Sequence, residues 1–327
     1  MSNRSQGACR LLVAVFAALP AVDPAVAQKP PDAFPTKPVH ILVGFTAGSA
    51  TDITARLIGP KLSDLWGQPV VIDNRSGAGG TIAWAAAAKA PPDGHTITIV
   101  STAFAISYVL QGKSLPYDAL KDFRAVTLIG TPTGTLVVAP ALGVKSVKEL
   151  IALAKEKKVI YASTGAGSGT HLGTERFNMA AGIKPVHVAF KGQPEMIVEV
   201  VTGRVNFAIV SLGAGMPFIK DGRLVPLAVN TPRRSAHLPD VPSLFEVVPG
   251  FERDAAHALM APAQTPTPVV RQIARDVARV LEMPDVKERL LAMSFDASPT
   301  TPEEYDREVR RQVEVFTKVA KALGLIK

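Results

Sequence analysis

Cysteine is nearly absent: Cys9 is the only one in 327 residues. One thiol excludes a disulfide framework and any paired-cysteine metal or redox motif. Charged residues make up only 20% and aromatic residues 6%, against 47% hydrophobic. That balance excludes a largely disordered chain and allows sizeable cores. The few aromatics do not interleave with basic residues, as a stacking platform for nucleic acid requires. The formal charge is +8, but the bases are scattered. Lys155, Lys157 and Lys158 share one expected helix, Arg233-Arg234 a loop, and Arg307, Arg310 and Arg311 another helix. They read as solvated faces, and no nucleic acid is expected as a partner. Nucleotide motifs are missing too. Gly165-x-Gly167 meets Thr170, and Gly77-x-Gly79 meets Ile82, where a dinucleotide fingerprint needs Gly or Ala; no G-x-x-x-x-G-K-[ST] occurs. The histidines at 40, 95, 171, 187, 237 and 257 show neither H-x-H nor H-E-x-x-H spacing, so neither a metal nor a cofactor is expected. A nucleophile elbow at Ser168 would need glycines where Ala166 and Thr170 stand.

Residues 1–27 have the layout of a secretory signal peptide. Arg4 and Arg10 precede or border an apolar run over residues 11–19, and Ala25-Val26-Ala27 precedes Gln28. The run is too short to span a bilayer, and Pro20 and Pro24 would break an ordinary helix there. No later stretch is long and apolar enough to span.

What remains alternates between strand and helix. Residues 39–45 have the near-continuous apolar character of a strand buried on both faces. The loop Thr46-Ala47-Gly48-Ser49-Ala50-Thr51-Asp52 turns directly into a helix ending near Leu65, with Ile53, Leu57, Leu62 and Leu65 on one side. Pro60 is expected to kink or restart it. Strands at 69–73 and 96–100, with an Ala-rich helix over 81–90 between them, complete a β-α-β-α-β order, the mark of a parallel α/β sheet. Further strands are expected at 123–129, 136–139, 159–162, 186–190, 207–210, 224–229 and 258–260. Helices are expected at 146–157, through Ala181, at 195–201, from Pro268 and after Thr301. Ser146 and Glu149 suggest a capping box. Length suggests two lobes. The first would comprise residues 28–128 and 231–327, the second 129–230, with crossings at Gly130–Gly134 and Asn230–Arg234.

Two strand–loop–helix turns, 45–52 and 163–171, are rich in Gly, Ser and Thr. Ligands of open α/β sheets bind outside the carboxyl ends of strands, and helix-start amides attract anions. The candidate ligand-binding residues are therefore Phe45, Ala47, Gly48, Ser49 and Asp52 in the first turn. In the second they are Thr164, Gly165, Ala166, Ser168, Thr170 and His171. Ser101, Thr102, Lys191 and Ser211 end other strands and join the set. Asp52 either contacts a ligand or braces its own loop, the brace being favoured. His171 serves equally as a ligand contact or as a packing residue.

These residues carry a resemblance. The stretch 39–56 with Asp52, Gln68-Pro69-Val70-Val71 running to Arg75-Ser76-Gly77-Ala78-Gly79-Gly80, Pro92-Asp93-Gly94, Leu115-Pro116-Tyr117-Asp118, Lys121-Asp122-Phe123, Tyr161-Ala162-Ser163, His187-Val188-Ala189-Phe190-Lys191-Gly192 and Leu238-Pro239-Asp240-Val241-Pro242 follow one another in order. Together they resemble the substrate-binding proteins of tripartite tricarboxylate transporters, the Bug-type periplasmic binding proteins. The resemblance implies an α/β, two-lobed Venus-flytrap fold, type II-like, each lobe a mostly parallel sheet flanked by helices. It implies a periplasmic, non-enzymatic, monomeric protein holding a small carboxylate between its lobes by backbone amides and bridging waters. Family ligands include tricarboxylates, dicarboxylates, amino-acid dicarboxylates and aromatic acids. The implied partner is a membrane permease, or alternatively a signalling receptor; a distant alternative is an exported hydrolase using Ser163 or Ser168 with His171. Ser49, Pro60 and Asn206 depart from the family pattern.

Overall fold

The computed structural model describes residues 34–251 and 257–326; the expected signal peptide lies outside the described residues. The first apolar run forms β1 (Val39–Val43), followed by α1 (Ala50–Trp66), β2 (Val70–Asn74), α2 (Thr81–Ala88) and β3 (Thr96–Val100). Then come α3 (Ala103–Gln111), β4 (Phe123–Pro132), β5 (Gly134–Val138), α4 (Val147–Glu156), β6 (Ile160–Ser163), α5 (Gly169–Ala181), β7 (Val186–Ala189), α6 (Gln193–Val201), β8 (Phe207–Ser211), α7 (Leu212–Lys220) and β9 (Val225–Val229). The last part holds α8 (Leu244–Val247), β10 (His257–Pro262), α9 (Thr267–Leu281), α10 (Pro284–Ala292), β11 (Phe295–Ala297) and α11 (Pro302–Ala322).

The strands form two sheets, ordered β11-β4-β10-β3-β1-β2 and β7-β6-β8-β5-β9. The fold is two-lobed α/β, as the resemblance implies. Most strands in each sheet run one way. The exceptions are β10 and β11 in the first sheet and β5 in the second. Both β5 and β10 immediately follow a passage from one sheet to the other, which is why they enter reversed. The first passage is one residue long. Thr133 alone separates β4 from β5, so the first-sheet strand runs past the expected break at Gly130. Asn230 braces this point: its Oδ1 accepts the Gly134 amide at 2.6 Å, and its own amide donates to the Gly134 carbonyl at 2.9 Å. Residues 231–251, expected with the first lobe, carry Leu244, Val248 and Phe251 into the core around Leu136, Phe177 and Phe207 beside the second sheet.

Three expectations need correction. Helix α1 runs unbroken through Pro60. Proline removes the bond to the Arg56 carbonyl, but Pro60 and Arg56 are both exposed, so water can satisfy that carbonyl. Ile53 is 39% exposed, and the buried face is built on Ala55, Ile58, Leu62 and Trp66 instead. The Ser146–Glu149 box is not reciprocal. Ser146 accepts the Glu149 amide at 3.2 Å, but Glu149 reaches back one residue further, to the Lys145 amide at 2.8 Å.

Helices α3, α7, α8 and α10 and strand β11 were not anticipated. Of these, α3 matters most. Its Ala105 and Ile106 share a buried apolar cluster with Leu172 of α5 and Phe316 and Val319 of α11. A side chain at Gly167, just before α5, would meet Leu110 of α3 at 3.3 Å. The helix that follows β3 therefore touches the loop that follows β6.

Candidate functional site

The two singled-out loops fold alike. Each follows a parallel strand, and each is built on the pattern G-S-x-T-[DH]: Gly48-Ser49-Ala50-Thr51-Asp52 and Gly167-Ser168-Gly169-Thr170-His171. Both glycines have positive φ, 83° and 76°, a conformation other residues resist. Both serines are extended N-caps, with φ −67° and ψ 160° at Ser49 and φ −70° and ψ 163° at Ser168. The Ser49 hydroxyl accepts the Asp52 amide at 3.4 Å, and the Ser168 hydroxyl accepts the His171 amide at 3.2 Å. The third helical residue then accepts the glycine amide: Gly48 N–H donates to Asp52 Oδ2 at 2.8 Å, and Gly167 N–H to His171 Nδ1 at 3.0 Å. The first two helical amides, of Ala50 and Thr51 and of Gly169 and Thr170, have no partner among the described residues. Free amides at a helix start carry partial positive charge and suit an anion.

Asp52 is a brace. It is buried, and besides Gly48 it accepts Asn74 Nδ2 at 2.8 Å and Arg56 Nε at 2.9 and 3.0 Å. Burial alone would raise its pKa, but the Arg56 hydrogen bond, the Gly48 amide and Asn74 outweigh burial and hold it below the usual carboxylate range. Asn74 also donates to the Phe45 carbonyl at 3.1 Å. Phe45 itself lies edge-on to Trp84, centroids 6.4 Å apart. The loop after β1 sits tightly on the turn after β2: a Cβ at Gly44 would fall 2.6 Å from Gly80 Cα. Ala47 and Gly48 are exposed and Ser49 half-buried.

His171 does for the second loop what Asp52 does for the first, without a charge. Accepting an amide at Nδ1 requires that nitrogen to be unprotonated. Burial lowers the pKa of His171. Burial, and then the neighbouring His171, lower that of His187, whose ring stacks on His171 at 4.0 Å. His187 Nε2 lies 2.6 Å from the Ser163 hydroxyl, which is itself buried and donates to the Gly165 carbonyl at 3.1 Å. Neither Ser163 nor Ser168 is paired with the His171 ring. Thr170 Oγ1 gathers the Thr164 amide at 2.9 Å, the Thr164 hydroxyl at 2.8 Å and the Ser168 hydroxyl at 3.0 Å. Gly165 has φ 125°, and Ala166 is exposed.

Next to this loop is a cavity of about 170 Å³. It is lined by Pro132, Thr133 and Gly134 of the passage between sheets, Gly169, Thr170, Gly173 and Thr174 of α5, Gln193, Ile209, Val210, Ser211, Asn230 and Phe251. Of the expected residues it brings together Thr170 and Ser211. Phe45, Ala47, Gly48, Ser49, Asp52, Ser101, Thr102, Thr164, Gly165, Ala166, Ser168, His171 and Lys191 are not in its lining. Ser101 accepts the Ala103 amide at 3.3 Å, and Thr102 stands at the start of α3. Lys191 is exposed and donates its amide to Glu195 at 3.2 Å. Thr174, Gln193 and Asn230 were missed. Gln193 holds the end of β8, its Oε1 accepting the Ser211 amide at 2.9 Å and hydroxyl at 3.0 Å. In the sequence the two turns stand out through their Gly, Ser and Thr content alone; nothing local marks Gln193 or Asn230.

The model of the tripartite tricarboxylate transporter family receptor matches residues 54–325. The protein BugT of Bordetella pertussis is 31% identical over 297 residues, covering 90% of this chain and 91% of its own. Rpa4515 of Rhodopseudomonas palustris, solved with adipate, is 35% identical with a TM-score of 0.69, covering 89% of this chain and 98% of its own. MatC of the same organism, solved with bound malate, is 28% identical with a TM-score of 0.66, covering 88% and 99%. With two α/β lobes and helix-start loops at the ends of parallel strands in each, the chain belongs to the tripartite tricarboxylate transporter receptor family, of the Bug type.

Proposed function

We propose that this protein is a periplasmic solute-binding protein that captures a small carboxylate between its lobes and delivers it to a tripartite tricarboxylate-type permease. The carrying observation is the repeated turn: two helices, one after a parallel strand of each sheet, start with the same cap and leave the same two amides free. Family membership and relatives solved with adipate and malate support a carboxylate as the ligand. The lobes are divided at Thr133 on the first passage, residues 1–27 direct export and are removed, and the mature chain acts as a monomer without catalysis. The Ser163 hydroxyl lies against the Gly165 carbonyl and the His187 ring, and the Ser168 hydroxyl caps α5 at the His171 backbone amide; neither is bonded to the His171 ring, which favours binding over hydrolysis.

Magnitudes suffice without arginine. Hydrogen bonds to a charged group contribute about 1.5–3 kcal/mol each. Four amides, with helix-start fields of up to ~2 kcal/mol, reach the ~8 kcal/mol of micromolar affinity after association costs. The test is thermal unfolding of mature protein, freed of ligand by refolding, against a panel of mono-, di- and tricarboxylates. Ligand at a thousandfold its Kd stabilises by about 4 kcal/mol, an upward shift of several degrees. A flat response across the panel refutes the reading.

A further inference from the structure

The lobes touch at a second place besides the strand passages. Over its first half α11 belongs to the first lobe, where Tyr305 and Val309 share a core with Leu42, Val100 and Leu128 of the first sheet. Its second half reaches the other lobe. Phe316 and Val319 are buried against Leu172 of α5 and against Ala105 and Ile106 of α3. One turn further along α5, Arg176 is buried with its guanidinium over two rings, Phe316 of α11 at 5.6 Å and Phe251 at 5.8 Å. Phe251 belongs to the core beside the second sheet, so one cation lies against an aromatic ring of each lobe. The contact is short. Past it the two helices part around a gap of about 270 Å³, lined among others by Met179 and Ala180 of α5 and Val315 and Lys318 of α11.

Two properties suit this contact to turning rather than to opening. Leu172, Phe316 and Val319 are sealed from water, and exposing all three at each opening would cost an amount comparable to what a micromolar ligand returns. Apolar burial has no preferred direction, and a guanidinium can tilt over a ring face without breaking a directed bond. The other fixed point is Thr133. Its amide donates to the Ser294 carbonyl in the first lobe at 2.8 Å, and its carbonyl accepts the Leu212 amide in the second at 2.9 Å. Resting on the two-lobed capture reading above, we propose that α5 and α11 form a second pivot, and that the lobes rotate about the line joining Thr133 to the contact of Leu172 and Arg176 with Phe316. The start of α5 lies along that line: Gly169 and Thr170 line one cavity with Thr133, and Leu172 follows within a turn. Points on an axis do not travel. The free amides of Gly169 and Thr170 therefore keep their place relative to the first lobe in open and closed forms. The outer part of the second lobe, ending at the edge strand β7, makes the excursion. The two anion turns are thus a ready-made seat, and closure adds the cover.

Spin-label distance measurements test this. Cys9 lies within residues 1–27, so the mature chain offers no competing thiol. One double variant, Met179→Cys with Lys318→Cys, labels exposed positions on either side of the gap beside the pivot. A second, Ile82→Cys with Val186→Cys, labels exposed positions on α2 of the first lobe and on β7 of the second. In ligand-free protein the 179–318 distances should be narrowly distributed and the 82–186 distances broad. Adding adipate or malate, whichever raises the melting temperature, should narrow the 82–186 distribution and leave the 179–318 distribution unchanged. Phe316→Ala should broaden the 179–318 distribution and weaken the same carboxylate roughly tenfold, by lowering the fraction of molecules with a formed seat; Phe316→Leu, which keeps an apolar contact, should stay within about threefold of wild type. A 179–318 distribution as broad as the 82–186 one, or one that shifts with ligand, overturns the pivot, as does a narrow and static 82–186 distribution. A folded Phe316→Ala protein with an unchanged 179–318 distribution overturns it too; where that variant fails to fold, the two distributions in otherwise unaltered protein decide. Failure of every carboxylate removes the proposed function itself, while the ligand-free distributions still judge the pivot.

Discussion

Replacing Asp52 with asparagine separates a brace from a ligand contact. The wild-type carboxylate receives the Gly48 amide, Asn74 Nδ2 and Arg56 Nε at 2.8 to 3.0 Å while buried. Asparagine keeps one acceptor oxygen. Its NH₂ must then face at least one of those donors, and Arg56 loses its counter-charge. Each bond to a charged group is worth about 1.5–3 kcal/mol, and a buried donor left unpaired costs about 1–3 kcal/mol. Solvent screening discounts the Arg56 part, since that side chain is half exposed. The expected loss is about 2–4 kcal/mol, or roughly 4–8 °C in melting temperature for a chain of this size. Thermal unfolding of both proteins at neutral pH measures it. Because the folded pKa of Asp52 lies below its ordinary value, this stability is present above the unfolded carboxylate pKa and is lost as pH falls through the folded one. The difference between wild type and variant should therefore shrink below about pH 4. An unchanged melting temperature together with a lost carboxylate affinity would refute the brace and make Asp52 a ligand contact.

Three further outcomes are expected. His171→Asp retains an acceptor for the Gly167 amide but adds a charge beside the free Gly169 and Thr170 amides; carboxylate affinity should drop roughly tenfold or more, read by titration calorimetry, with a smaller change in melting temperature. Lowering the pH from 7.5 to 5 should lower the melting temperature, because burial depresses the pKa of His171, His187 and His257, the last to about 4. Their stabilisation is full above the unfolded value near 6.5 and is lost as pH falls towards the folded values, His257 alone accounting for about 2 kcal/mol by pH 5; a melting temperature flat across that window counts against it. Ser49→Gly should cost only a few tenths of a kcal/mol, since glycine also serves as an N-cap and the Ser49 bond is long at 3.4 Å; its larger effect should be on ligand preference, and identical affinities across the carboxylate panel would contradict that.

The β-α alternation was legible because apolar runs such as residues 39–43 and 96–100 are bounded by glycine, proline and polar turns, and because the stripes on α9 and α11 keep helical spacing. The spacing predicts core-facing stripes at Val269, Val270, Ile273, Val277, Val280 and Leu281 and at Tyr305, Val309, Val313, Phe316, Ala320 and Leu323; all are buried except Val269, Val313 and Leu323, which are half-buried. What escaped detection has a common cause. Helix α3, Ala103–Gln111, has no acidic first turn and no side-chain cap bond, and it reads as another apolar run. The place of residues 231–251 depends on Leu244, Val248 and Phe251 finding a core laid down by residues far away in the chain, which no local pattern encodes. Gln193 and Asn230 are chosen by tertiary neighbours for the same reason: each accepts an amide from a strand end 18 or 96 residues away.

Four helices share a device that explains how these loops stay open to an anion. In α1, α4, α5 and α6 the third helical residue accepts the amide of the residue just before the cap: Asp52 from Gly48, Glu149 from Lys145, His171 from Gly167 and Glu195 from Lys191. An acid is the usual choice because it also favours the positive helix start. At a carboxylate site that acid would repel the ligand. The two candidate loops answer this differently. In the first, Arg56 pairs with Asp52 at 2.9 Å and offsets its charge. In the second, a histidine replaces the acid, and burial keeps it neutral. Each loop is thus rigid without presenting net negative charge, and the free amides at the start of α1 and α5 remain attractive to a carboxylate. The dependence on neutrality gives the device a direction in pH: protonating His171 turns its Nδ1 from acceptor to donor against the Gly167 amide, so acid should loosen the second loop before it affects the first.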